Sequence, residues 1–126
     1  IVNRTKAKAQ TLAELFSQFG VIEYCSFDEL PDASFDVVIN STSSSIEGVL
    51  PNLKVVHIEA ASAIYDMVYS DAGTIFLDWA KQHNENAMLL DGIGMLIGQA
   101  AEAYFVWRNV YPPAEQVVLL AKQKAL

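Results

Sequence analysis

Short apolar runs alternate along this chain with longer stretches of helical periodicity. "FDVVINST" and "AMLLD" read as strands, and "LKVVHIEAASAIYDMVY" as extended structure ending near Tyr65. Between them, residues 6–19 ("KAKAQTLAELFSQF") place Leu12, Leu15, Phe16 and Phe19 at i, i+3, i+4, i+7 before the stop signal Gly20. "TIFLDWAKQH" is a short amphipathic helix, and a long helix runs from Gly92 to about Val110. A terminal helix follows, with Pro113 suited to its first turn. The strand segments are mostly continuous apolar runs, which predicts a parallel sheet buried on both faces. Ligands of such sheets bind at the carboxyl ends of the strands. That directs attention to Asn3-Arg4-Thr5, Asn40 to Ser45, Asp66 to Tyr69, and Asp91-Gly92.

Charge narrows the partners. The chain has 126 residues, 52% apolar, with a net charge of -7. It lacks the basic face that nucleic acid or an acidic lipid surface requires. No apolar stretch is long enough to span a bilayer, no leader pattern is visible, and the cytoplasm is the expected compartment. The single cysteine, Cys25, has no internal disulfide partner and reads as a small buried apolar residue. Asn3-Arg4-Thr5 and Asn40-Ser41-Thr42 match the glycosylation sequon, but nothing else points to secretion. His57 and His83 lack metal-ligand spacing, so no metal is expected.

Against the acidic background, three of the eight basic residues (Arg4, Lys6 and Lys8) fall in the first eight positions. In a dinucleotide fold, an acid after the second strand selects NAD and an arginine accommodates the 2′-phosphate of NADP. Arg4 occupies that position, flanked by Asn3 and Thr5, at the start of a helix whose N-terminus favours an anion. The cluster reads either as a 2′-phosphate site or as a solvated basic helix start. Gly92-x-Gly94-x-x-x-Gly98 looks like a dinucleotide fingerprint but is followed only by helix, so these glycines read as close helix–strand packing. Trp79, Trp107, Phe105 and Tyr104 read as core residues. Gln99, in the middle of an apolar helix, is either a satisfied buried amide or a ligand contact.

Four separated stretches, "NRTKAK", "INSTSSS", "YDMVY" and "DGIGMLIGQAAEAYFVW", together resemble the cofactor-binding part of shikimate dehydrogenase. With the intervening helices, the resemblance covers essentially the whole chain. It implies an α/β, partial Rossmann-like three-layer fold with a parallel sheet, lacking the first strand. Residues 1–126 would be a partial NADP-binding domain, in which 92–126 pack back toward a missing substrate domain. The family reduces 3-dehydroshikimate to shikimate with NADPH. By resemblance, Asn3, Arg4, Thr5 and Lys8 would hold the 2′-phosphate, and Met67 and Gly92 would lie at the nicotinamide. Tyr69 and Gln99 would reach the substrate. Arg4 favours the NADP-specific branch over relatives that accept NAD and quinate.

The family loop usually reads Asn-Ala-Thr-Ser-x-Gly, whereas this chain has Asn40-Ser41-Thr42-Ser43-Ser44-Ser45. If its last position needs a positive φ, Ser45 is strained there. The Gly-rich loop, the first strand and the family's lysine–aspartate pair would all precede Ile1, so no residue here is assigned as catalytic. The start at Ile1 reads as a cut through the domain. The isolated chain is therefore expected to be unstable, to swap elements with a second copy, or to close its sheet differently. A homodimer is admitted, and the oligomeric state is not fixed by the sequence. The competing readings are a non-catalytic NADP-binding module and the cofactor domain of a glutamyl-tRNA reductase-like enzyme.

Overall fold

The computed structural model describes residues 1–124. Three strands, β1 (Val37–Asn40), β2 (Ala63–Asp66) and β3 (Met88–Leu90), form a parallel sheet in the order β1-β2-β3. Helix α1 (Lys6–Leu15) precedes the sheet, α2 (Ile75–His83) joins β2 to β3, and α3 (Ile93–Arg108) and α4 (Ala114–Lys124) follow it. The α/β class and the parallel sheet thus match expectation.

Thr74 starts α2 as its N-cap: its extended backbone lets its hydroxyl accept from the Leu77 N–H. Asn109 ends α3 in the left-handed conformation, a role open to asparagine because its short side chain tolerates positive φ. The opening "IVN" supplies only a single parallel bridge, Val2 to Cys25, and the half-buried Cys25 belongs to that bridge rather than to the core. The bridge does not join the three-stranded sheet, so β1, like β3, is an edge strand.

The core is one-sided. Ile58, Ala61, Ile64, Phe76 and Ala80 are buried together, with Val38, Leu89 and Trp79 packed against them. Strand alternation sends Val38, Ile64 and Leu89 to this face. The opposite residues, Val37, Ile39, Met88 and Leu90, are exposed. The expectation of a sheet buried on both faces is therefore corrected: on the second face only Ala63 and Tyr65 of the central strand are partly buried, and its flanking residues stay exposed.

The same correction applies to three helical expectations. On α1 the buried residues are Ala9 and Ala13, while Leu12, Leu15, Phe16 and Phe19 are exposed; the helix ends at Leu15 and a 3-10 turn takes Ser17–Phe19. On α3 only Ala101 is buried, and Tyr104 and Trp107 (78% exposed) are surface residues. Gln99 is exposed too, so it is not a buried amide. Periodicity marks an apolar face, but the partner that buries it lies elsewhere in the chain or outside it.

His57, buried, accepts from the Lys54 N–H at Nδ1 (3.0 Å) and reaches the Pro31 carbonyl through Nε2 (3.2 Å). This is the role of a neutral structural histidine that donates from Nε2. Asn84 staples the return from α2 to β3. Its Nδ2 donates to the Ile58 and Ala61 carbonyls, and its Oδ1 accepts from Asn86 and Ala87. Truncating it strands these groups in a buried place. We expect Asn84→Ala to cost about 2–3 kcal/mol in chemical denaturation.

Candidate functional site

The carboxyl ends of the strands converge, as parallel connectivity requires. β1 ends at Asn40 and β2 at Asp66. The Met67 N–H then donates to the Asn40 carbonyl (2.9 Å), and the Gly92 N–H donates to the Val68 carbonyl (3.1 Å). The start of α3 is thereby set against the turn after β2. A Cβ on Gly92 would stand 2.0 Å from the Met67 carbonyl oxygen. Close packing explains Gly92, but not Gly94 or Gly98, where an added Cβ would meet nothing within 4 Å. The glycine series therefore holds one close-packed position, not three.

Beside these strand ends opens a cleft of about 650 Å³. Asn3, Arg4, Thr5 and Lys8 line one wall, Ser41 to Ser44 the other, and two carboxylates, Asp28 and Glu47, share the lining. Asn3 Oδ1 accepts from the Thr5 N–H (2.9 Å), which turns the chain into α1. The first turn of α1 carries no acid to occupy its positive end.

The three basic residues divide in two. Lys6 donates to Glu29 (2.7 Å), while Arg4 and Lys8 have no ion-pair partner among the described residues. The hydrogen bond from Lys6 holds Glu29 below the usual carboxylate range, and Glu29 pushes the Lys6 ammonium up. Lys6 is thus committed to the protein's own carboxylate, and two cations are left to face the cleft.

The serine loop is built on side-chain hydrogen bonds. Asn40 Oδ1 accepts from the Thr42 N–H (3.1 Å) and hydroxyl (2.8 Å), and Ser43 donates to Glu47 (2.8 Å). Asn40 itself is buried and its Nδ2 donates inward, so it is no glycan acceptor. Ser45 is not at positive φ; the glycine of this loop, Gly48, is. The strain expected at Ser45 is absent because the loop turns three residues later.

The structure therefore gathers Asn3, Arg4, Thr5 and Lys8 at one wall, and Met67 with Gly92 at the strand ends. Tyr69 and Gln99 are exposed and make no side-chain hydrogen bond among the described residues. Reading the sequence placed Asp66 at a strand end but gave it no role in the site. The signal was an acidic residue closing an apolar run, where a buried charge must find donors. Among the described residues no cluster could hold a metal ion and no helix is long and apolar enough to cross a membrane.

Comparison with known proteins fits this geometry. Residues 92–118 match the family described as Shikimate 5'-dehydrogenase C-terminal domain. A shikimate dehydrogenase (NADP(+)) from Psychromonas ingrahamii is 48% identical over 118 residues, which are 94% of this chain and 43% of the relative. The crystal structure of an Ael1 enzyme from Pseudomonas putida superposes with a TM-score of 0.85 at 36% identity, covering 95% of this chain and 44% of that one. A shikimate dehydrogenase crystallised in complex with NADP+ gives 0.73 at 31% identity, covering 91% of this chain and 42% of that one. The chain spans less than half the length of the curated relatives it matches. Over most of its length, both its sequence and its Rossmann-like fold match the C-terminal part of shikimate dehydrogenases.

Proposed function

We propose that the chain is the NADP-binding part of a shikimate dehydrogenase, an oxidoreductase that reduces 3-dehydroshikimate to shikimate with NADPH. The observation that carries this reading is the two cations without an ion-pair partner among the described residues, Arg4 and Lys8, lining the cleft beside an acid-free helix start. An Arg guanidinium offers planar, paired donors to a phosphate. In this assignment Asn3, Arg4, Thr5 and Lys8 hold the 2′-phosphate, and Met67 and Gly92 take the nicotinamide end. Tyr69 and Gln99 face the substrate. The last two are free to do so, being exposed and unengaged.

The rest of the enzyme completes the site. Residues 92–126 would pack toward the substrate domain, and the exposed apolar side chains of α3 (Met95, Leu96, Val106 and Trp107) give a reason. A helix apolar on all sides is a helix meant to be covered. The substrate is a small molecule, the compartment the cytoplasm, and a homodimer is compatible with this arrangement. The proton-transfer residues belong to the other domain, so this chain alone is expected to be inactive.

The test is spectrophotometric. The complete protein should oxidise NADPH with 3-dehydroshikimate and do so poorly with NADH. No turnover of 3-dehydroshikimate, or equal use of the two cofactors, would overturn the reading.

A further inference from the structure

Asp66 is fully buried, yet no cation is paired with it among the described residues. Four donors surround its carboxylate. Asn40 Nδ2 and the Val68 N–H donate to Oδ1, each at 3.2 Å, and the hydroxyls of Ser45 (2.6 Å) and Thr74 (2.7 Å) donate to Oδ2. Each of its two oxygens is therefore held by two partners.

The donors come from three different places. Asn40 and Ser45 bracket the serine loop of the cleft, Val68 lies in the turn that carries Met67, and Thr74 caps α2. Thr74 is used twice, because the hydroxyl that donates to Asp66 also accepts from the Leu77 N–H. We infer that Asp66 is a positioning residue for the nicotinamide end of the cofactor site, its buried carboxylate tying the loop Ser41–Ser45 and the Met67–Gly92 contact to the N-terminus of α2. The inference rests on the cofactor reading above and deepens it. It also assigns a task to Ser45, whose hydroxyl adds an anchor where a glycine would offer none.

An amide holds this site less well. Asp66→Asn keeps the shape, but its –NH2 must replace one oxygen: at Oδ1 it would face two N–H donors, and at Oδ2 it requires the Ser45 and Thr74 hydroxyls to accept, although they already accept from Asn40 Nδ2 and the Leu77 N–H. The common anchor of the loop and the Met67 turn is then weakened, whereas Arg4 and Lys8 make no hydrogen bond to Asp66.

The experiment uses the complete dehydrogenase carrying this segment, with Asp66→Asn, Ser45→Ala and the double variant. Two quantities are read: turnover of NADPH with 3-dehydroshikimate, and the Kd of 2′,5′-ADP, which carries only the adenosine half of the cofactor. Asp66→Asn should lower kcat about 10- to 100-fold, as expected for misplaced reacting groups, and leave the 2′,5′-ADP Kd unchanged. Ser45→Ala should lower kcat less, and the double variant should match Asp66→Asn alone, since contacting residues are not additive. If Asp66→Asn does not fold, Ser45→Ala decides alone by the same two readouts.

Wild-type turnover in the variants would overturn the inference. So would a parallel loss of turnover and 2′,5′-ADP binding, which marks a general structural role. If the wild-type enzyme neither binds 2′,5′-ADP nor turns over NADPH, the cofactor reading itself fails, and the inference with it.

Discussion

Arg4→Ala in the complete enzyme should weaken NADP+ binding by about 10- to 100-fold, the worth of a charge-assisted hydrogen-bond set to phosphate. NAD+ lacks the 2′-phosphate, so its weaker binding should stay as it is, and the preference between the two cofactors should collapse. Lys8→Ala should move in the same direction by less, because an ammonium acts on phosphate as a point charge and not as a fork. Lys6→Ala is the informative control. Lys6 is as basic and as near in sequence, but it is spent on Glu29 at 2.7 Å. Titration of both cofactors against the three variants checks this. A loss with Lys6→Ala equal to that with Arg4→Ala would mean that simple positive charge, and not the geometry of the wall, attracts the cofactor.

Gly92→Ala should damage this chain far more than either of the other helix-start glycines. The new Cβ would meet the Met67 carbonyl oxygen at 2.0 Å, and that atom is backbone, which cannot rotate away. Overpacking of this kind costs about 1–3 kcal/mol and sometimes more, and here the shift would open the joint between β2 and α3. Gly94→Ala and Gly98→Ala meet open space within the helix, so alanine should stabilise the chain by up to about 1 kcal/mol at each position. Denaturant melts of the three variants give the comparison. Equal effects at all three positions would show that helix propensity, not the close approach, governs the start of α3.

Local elements were legible without coordinates. The runs around Val37–Asn40, Ala63–Asp66 and Met88–Leu90 are strands, and "TIFLDWAKQH" is a helix that Thr74 caps. Parallel pairing followed from their continuous apolar character. The basic cluster at Arg4 and Lys8 was also legible, because it departs so sharply from an acidic chain.

Burial was not legible in the same way. The stripe Leu12, Leu15, Phe16, Phe19 has correct helical spacing and lies exposed, while Ala9 and Ala13 are the buried face. Periodicity reports that a face is apolar; only the neighbouring layer decides whether it is covered. In this chain one sheet face and most of α3 await such a layer.

The sequence by itself determined the order and kind of the elements, because propensity, caps and turn residues act within a few positions of one another. The tertiary structure alone decided which glycine is indispensable, which lysine is free and what Asp66 does. Gly92 meets Met67 from another element, Lys6 finds Glu29 23 residues away, and Asp66 gathers donors from up to 26 residues away. Such pairings depend on how far apart two atoms lie once the chain has folded, and a pattern with a period of two or 3.6 residues carries no trace of that distance.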